Sequence, residues 1–567
     1  MTTTPWETMA QRLITRGYKG LHRRNYLVQV YNDDNDAALA STDEAKARLS
    51  GVRWARWGEQ GALPRSVLYQ LLTLWPAQGN LCDGSGPKQG AGNTELGPAH
   101  PDSCYAVDIG ITFAGFSQLG THHQMLDLFR QKAPAFAEGA FLRASRWLGD
   151  SGPSDPERWT TRYRKDQTHV VLIVHAAGDP GNTGIQAFES SMWRRLGPPD
   201  AAPGLLTGHW VEQSSVLDDP REVHFGYIDG LSTPQYLSSR SNTAAREPSP
   251  FNVHALGELL LGHARNDGSN PWVMPGARAQ MSGNADLRPE PETIAYREFF
   301  RDGSFGALRN MYQDVAAFEG FVDCQARLLQ GCDERNDIEY TKGWIKAKLM
   351  GRWPNGAPVG YTPMPADREH REARRKVRIE ARYPANGRDK EPDNNFSYKQ
   401  DLDGFKCPFG AHIRRMNPRD DPVVPALRRP LLRRGLPYGA KYSAQLDNAK
   451  AERGLLGLFF CASLEEQFEH VLGNWANNNP MGIPHTHAGR DPIIGNQDPL
   501  SNVFDIPVDP QGRDPEFNFE DKPGGPIRLQ GLGSFVATRG TCYAFFPNVD
   551  ALAQIASGAL HPLRRFR

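Results

Sequence analysis

Two apolar runs constrain the fold of this chain more than any other feature. His169 to Ala176 (HVVLIVHA) is a nearly unbroken hydrophobic stretch that reads as a strand buried on both faces, and Leu455 to Cys461 (LLGLFFC) reads as a second buried strand. Around the first, Tyr26 to Tyr31 (YLVQVY) and Tyr105 to Phe116 also read as strands, and Leu119 to Phe141 reads as mostly helical despite Pro134. Strands and helices in that order, with pairing between distant segments, predict an α+β lobe. The second half repeats the theme. Gly303 to Gln330 contains a helical run with apolar positions Met311, Val315, Phe318, Phe321 and Val322, and Leu464 to Trp475 reads as a helix. Thr541 to Phe546 is the last strand and Val549 to Ser557 the last helix. The polar stretch at 237–250 places a lobe boundary near residue 245, giving lobes at 1–245 and 246–567. The alternating charges at 365–400 predict an exposed insertion in the second lobe.

Bulk properties exclude several classes. With Lys+Arg and Asp+Glu at 65 each, the chain has no global field to recruit nucleic acid or an anionic membrane. The amino terminus shows no signal peptide and no window approaches a membrane span, so a cytoplasmic protein is expected. The seven cysteines are scattered without a CxxC pair for zinc or a CxxCH for covalent haem. A glycine-rich segment at 84–90 (GSGPKQG) lacks the flanking strand and helix of a dinucleotide loop and is discounted.

The chemistry concentrates in Cys407 to Arg434 (CPFGAHIRRMNPRDDPVVPALRRPLLRR). His412 stands there beside Arg414, Arg415, Arg419, Arg428, Arg429, Arg433 and Arg434, after an aromatic, glycine- and proline-rich run. One reading is a solvated basic face with an ordinary histidine. The other is a pocket for an anionic, metal-bearing cofactor, whose metal the neutral imidazole takes and whose acid groups the arginines take.

CPFGAHIRRMNPR, GYIDG at Gly226 to Gly230 and LLRRGLPYG at Leu431 to Gly439 resemble, in order and spacing, motifs of the dye-decolorising peroxidases, a haem family. ITFAG at 111–115, GRWP at 351–354, GLFF at 457–460, QFE at 467–469 and WAN at 475–477 resemble further landmarks, so the likeness covers nearly the whole chain. The resemblance implies two ferredoxin-like lobes, each an antiparallel sheet with peripheral helices, of the dimeric α/β-barrel type. It implies one non-covalent haem b per chain in the C-terminal lobe, facing the GxxDG loop. It also implies a peroxidase that uses hydrogen peroxide to oxidise dyes, phenols or other one-electron donors through a ferryl intermediate, and it leaves room for a homo-oligomer.

Residue by residue, the resemblance makes His412 the proximal iron ligand, Asp229 the distal acid/base and Arg433 the distal charge stabiliser, with Arg434 its rival. A carboxylate has a reference pKa of about 3.9, so an acidic activity optimum is expected. Asp491, or Asp498, would back His412; Arg414 and Arg419 would pair with haem propionates; Leu458 and Phe460 would line the distal pocket. Tyr438 and Trp475 are candidate relays to bulky donors, with simple packing as the alternative. Two other functions are weighed. A haem-carrying or haem-handling protein would need neither Asp229 nor Arg433. A non-haem metal enzyme built on His485 and His487 lacks a visible third ligand.

Overall fold

The computed structural model describes residues 10–15, 22–30, 105–119, 121, 123–165, 167–176, 186, 189–190, 206–219, 221–237, 252–272, 291–330, 337–359, 394, 396–422, 428–446, 450–478, 489–497, 502–508 and 525–556. The 84–90 segment, the expected boundary near 245, most of the 365–400 insertion, His485, His487 and Asp498 lie outside the described residues.

Nine strands form one antiparallel sheet: β1 (His22–Val30), β2 (Tyr105–Ile111), β3 (Val170–Ala176), β4 (Leu206–Ser214), β5 (Ser304–Gln313), β6 (Leu432–Arg433), β7 (Leu436–Tyr438), β8 (Gly454–Cys461) and β9 (Val536–Phe546). Their order is β4-β1-β3-β2-β9-β5-β8-β6, with β7 also on β8. Counting the short β6 and β7, both on β8, as one strand, each half has the same arrangement of fourth, first, third and second strand, and the halves join where Phe545 of β9 pairs with Ile111 of β2. The far ends also approach one another, because the Ser215 N–H donates to Pro437 O at 2.9 Å. Inside the curl, Arg23 of β1 donates to the carbonyls of Arg434 and Leu456, and Asn310 of β5 donates to Glu212 of β4 at 2.8 Å. These buried bonds tie one half to the other.

The apolar run in β3 is buried as expected, with Val170 to Val174 fully covered. Ladders on both sides pair its backbone edges, and the side chains of Val170 to Val174 on its two faces belong to the buried core. Two expectations need correction. The strand from Tyr105 ends at Ile111, and Thr112 caps a helix (Phe113–Gln118) by accepting the Gly115 N–H. Met311 is not helical: it lies in β5, and helix α1 (Val315–Leu328) begins only after Asp314, whose carboxylate accepts the Ala317 N–H. The helical spacing of Met311 with Val315 and Phe318 reflects both elements facing one core, which also holds Phe225, Trp344, Cys407 and Ala411. The Leu464–Ala476 segment is helical as read, wound as a π-helix.

Candidate haem and peroxide site

His412 opens a five-residue helix, α3 (His412–Met416), directly after the CPFGA turn. A helix of this length is marginal by itself, so its position is set by packing. Its neighbour is helix α2 (Ile338–Met350), closed by Gly351 at φ +85°. A Cβ at Gly351 would stand 2.5 Å from Ile413 Cγ1, so only glycine allows α3 to seat there.

The half-buried His412 ring donates from Nδ1 to Asp491 Oδ2 at 2.9 Å. The Asp491 carboxylate is fully buried, and its Oδ1 accepts the N–H groups of Ile493 (2.9 Å) and Ile494 (3.0 Å). Commitment of Nδ1 as a donor leaves Nε2 with its lone pair, the arrangement a metal requires. Burial alone would raise the Asp491 pKa, but the His412 imidazole and then Arg415 outweigh it and hold the carboxyl below its ordinary value. A depressed folded-state pKa contributes stability above the unfolded value of about 3.9, and that stability is lost as pH falls through the folded pKa. Asp491→Asn is thus expected to destabilise the protein by about 1.5–3 kcal/mol near neutrality. It should also flatten the acid limb of stability below about pH 4. Denaturant melts of both proteins from pH 3 to 7 measure this, and parallel curves would remove the charge from the account.

Arg415 is buried beside this pair. Its Nη2 donates to Asn478 O at 2.9 Å, whereas Nη1 has no hydrogen-bond partner among the described residues. An unmet buried guanidinium N–H is costly and rare, and it suits the acid group of a bound anion.

Asp229 lies in a turn bracketed by Gly226 (φ +82°) and Gly230 (φ +78°). Its N–H donates to Arg221 O at 2.8 Å, while its exposed carboxylate has no partner among the described residues. The loop is fastened on both sides. Tyr227 Oη donates to Lys346 O of α2 at 2.9 Å, and the Ile228 N–H donates to Pro354 O at 3.1 Å. On the other side, His224 Nε2 donates to Tyr438 O of β7 at 2.8 Å. Asp229 and His412 are therefore hung from one segment, 351–354, and the same loop reaches the strand pair that carries Arg433.

The Arg433 guanidinium is exposed and makes no hydrogen bond or ion pair among the described residues. Arg434 is already engaged: Nε donates to Leu13 O (2.9 Å) and Nη2 to Ile14 O (3.3 Å). Of these two neighbours, Arg433 is the one whose guanidinium has no partner among the described residues.

Among curated proteins, the chain is 26% identical over 477 residues to a dye-decolorizing peroxidase of Exidia glandulosa, covering 81% of this chain and 77% of that protein. It is 28% identical over 483 residues to one of Auricularia auricula-judae, with the same two coverages. A multifunctional dye peroxidase of an Amycolatopsis strain is 26% identical over 407 residues, 69% of this chain and 71% of that protein. Over about four-fifths of its length this chain is similar to the dye-decolorising peroxidases. It is an oxidoreductase. No family model matches the chain. The family's fold is shared with a solved dye-decolorizing peroxidase in complex with cyanide, at TM-score 0.66 and 22% identity, covering 98% of this chain and all of that one. It is shared too with a fungal DyP-type peroxidase from Auricularia auricula-judae, at TM-score 0.64 and 20% identity, with the same coverages.

Four of the residues expected to contact haem, Arg414, Arg419, Leu458 and Phe460, are buried. Arg414 is fully buried, with its donors spent on Asp421, Asp401 and the Cys407 carbonyl. Arg419 is buried too: it donates to Asn394 O (2.8 Å) and Oδ1 (2.6 Å) and stacks 3.8 Å from the Phe396 ring centroid. Both already donate within the protein, whereas Arg415 Nη1 is buried with no hydrogen-bond partner among the described residues; its place in the arginine run was the only sequence signal for it. Leu458 and Phe460 are both fully buried on the inward face of β8, where Phe460 packs 4.9 Å from Phe546. Side chains alternate along a strand, so the residue that shares a face with Arg433 is its ladder partner Phe459. Trp475 is buried edge-on against His470 at 5.5 Å. Tyr438 is half-buried in β7. Among the described residues, no helix is long and apolar enough to cross a membrane.

Proposed function

We propose that this protein is a haem peroxidase that reduces hydrogen peroxide while oxidising phenols, dyes or other one-electron donors. One observation carries the reading. Nδ1 of His412 is committed to buried Asp491, whereas His412 Nε2, the Asp229 carboxylate and the Arg433 guanidinium have no partners among the described residues, and they stand on elements fastened to one another. A haem-handling protein would have no use for the last two.

The residues suit one non-covalent haem b. His412 Nε2 would take the iron, Arg415 Nη1 would meet a porphyrin acid group, and Phe459 would supply apolar wall. The strand order of each half supports two ferredoxin-like lobes, with this site in the second. Bound haem supplies the redox chemistry by which peroxide is reduced and single electrons are taken from a donor. The protein's own groups handle protons and charge. Asp229 accepts a proton from one peroxide oxygen and returns it to the oxygen that departs as water. Arg433 stays charged and stabilises negative charge as the O–O bond breaks. Asp491 keeps the His412 ring in one tautomer and one orientation. A phenol as donor accords with a solved relative of the same fold in complex with 2,6-dimethoxyphenol.

The test is purification with ample haem, a Soret spectrum, and steady-state oxidation of a phenol with and without peroxide. Arg433→Leu is expected to slow the peroxide reaction by about 10²–10³-fold, or roughly 3–4 kcal/mol of barrier. A colourless protein, or a haem protein inert to peroxide, would overturn the proposal.

A further inference from the structure

Arg414 takes no part in the reading above, yet every nitrogen of its guanidinium is hydrogen-bonded. Its side chain has no exposure, two residues past His412 on the same short helix. Nε donates to Asp421 Oδ2 at 2.6 Å, Nη1 to Cys407 O at 2.6 Å and Asp401 Oδ2 at 3.0 Å, and Nη2 to Asp401 O at 2.9 Å. The guanidinium is sandwiched between the rings of Phe409 (4.2 Å) and Tyr398 (4.6 Å). Asp401 in turn accepts the N–H groups of Lys406 (3.0 Å) and Cys407 (2.8 Å). Lys348 of α2 caps the carbonyls of Phe405 (2.8 Å) and Lys406 (2.9 Å). The clamp thus grips the chain before the CPFGA turn, within it and after the helix.

A five-residue helix cannot fix its own axis. Asp491 holds Nδ1 of the His412 ring, and nothing in that bond sets where the His412 Cα lies. We infer that Arg414, locked by Asp401 and Asp421, is a positioning residue that sets the approach of the His412 imidazole to iron. The inference rests on the reading of His412 as the iron ligand. A planar fork matters here as much as a charge: four directed bonds in one plane between two rings cannot be reproduced by an ammonium.

The experiment is resonance Raman of the ferrous haem protein, reading the iron–histidine stretching band, together with haem transfer to an excess of apomyoglobin. Arg414→Lys keeps the charge and loses the fork. The expected result is a shifted or split iron–histidine band and haem loss at least about tenfold faster. Asp401→Asn leaves Arg414 paired with Asp421 and should give a smaller change of the same kind; it provides the reading if Arg414→Lys does not fold. Glu212→Gln is the control, since Glu212 is a buried partner of Tyr163 and Asn310 outside this clamp. It should lower the melting temperature and leave the band in place. An unchanged band and off-rate in folded Arg414→Lys or Asp401→Asn overturns the inference, as does an equal shift in Glu212→Gln. A wild-type protein without an iron–histidine band would overturn the ligand reading itself, a separate failure.

Discussion

Asp229→Asn is expected to cut peroxide-dependent turnover by about 10²–10⁴-fold while haem content and melting temperature stay at wild-type values. The separation of effects follows from the geometry. The carboxylate is exposed and makes no hydrogen bond among the described residues, so an amide of the same shape removes no contact. The turn is held by backbone bonds, Asp229 N–H to Arg221 O and Ile228 N–H to Pro354 O, which the substitution leaves intact. What disappears is the ability to accept a proton. Stopped-flow mixing with peroxide measures that step alone, and a rate within about threefold of wild type would remove Asp229 from the mechanism. Asp229→Glu keeps the acid on a longer arm and should recover part of the lost rate.

His412→Ala should have the larger effect on cofactor and fold together. It deletes the imidazole that would bind iron and strips Asp491 of its side-chain partner. A buried carboxylate left unpaired in this way costs about 3–5 kcal/mol. Ile493 and Ile494 still donate to its Oδ1, so the loss should fall at the lower end of that span. The expected outcome is a protein with little haem and a lowered melting temperature, in which added imidazole partly restores the Soret band. Full haem retention with an unchanged spectrum would mean that another side chain holds the iron.

β4, β6 and β7 carry no continuous apolar run and went unread, whereas β3 and β8 were legible because a doubly covered strand must be continuously apolar, as in HVVLIVHA and LLGLFFC. β5 was not, since its SFGALRNMYQ mixes apolar and polar residues and its Met311 falls at helical spacing from α1. Periodicity reports which residues face a core and says little about which element carries them there.

The amino-acid sequence alone determined the chemical cast. It held a histidine after a stiff turn, a carboxylate in GYIDG and a surplus of arginines, and its motifs pointed to the peroxidase family. Which arginine could serve a ligand was a tertiary matter. Arg414, Arg419 and Arg434 donate to partners brought in from elsewhere in the chain, while Arg415 Nη1 and the Arg433 guanidinium have no hydrogen-bond partner among the described residues. The same holds for the facing of β8 and for the Asp491 carboxylate under His412. Strand register and hydrogen-bond saturation are properties of pairs of distant segments, and no single stretch of sequence contains both halves of the pair.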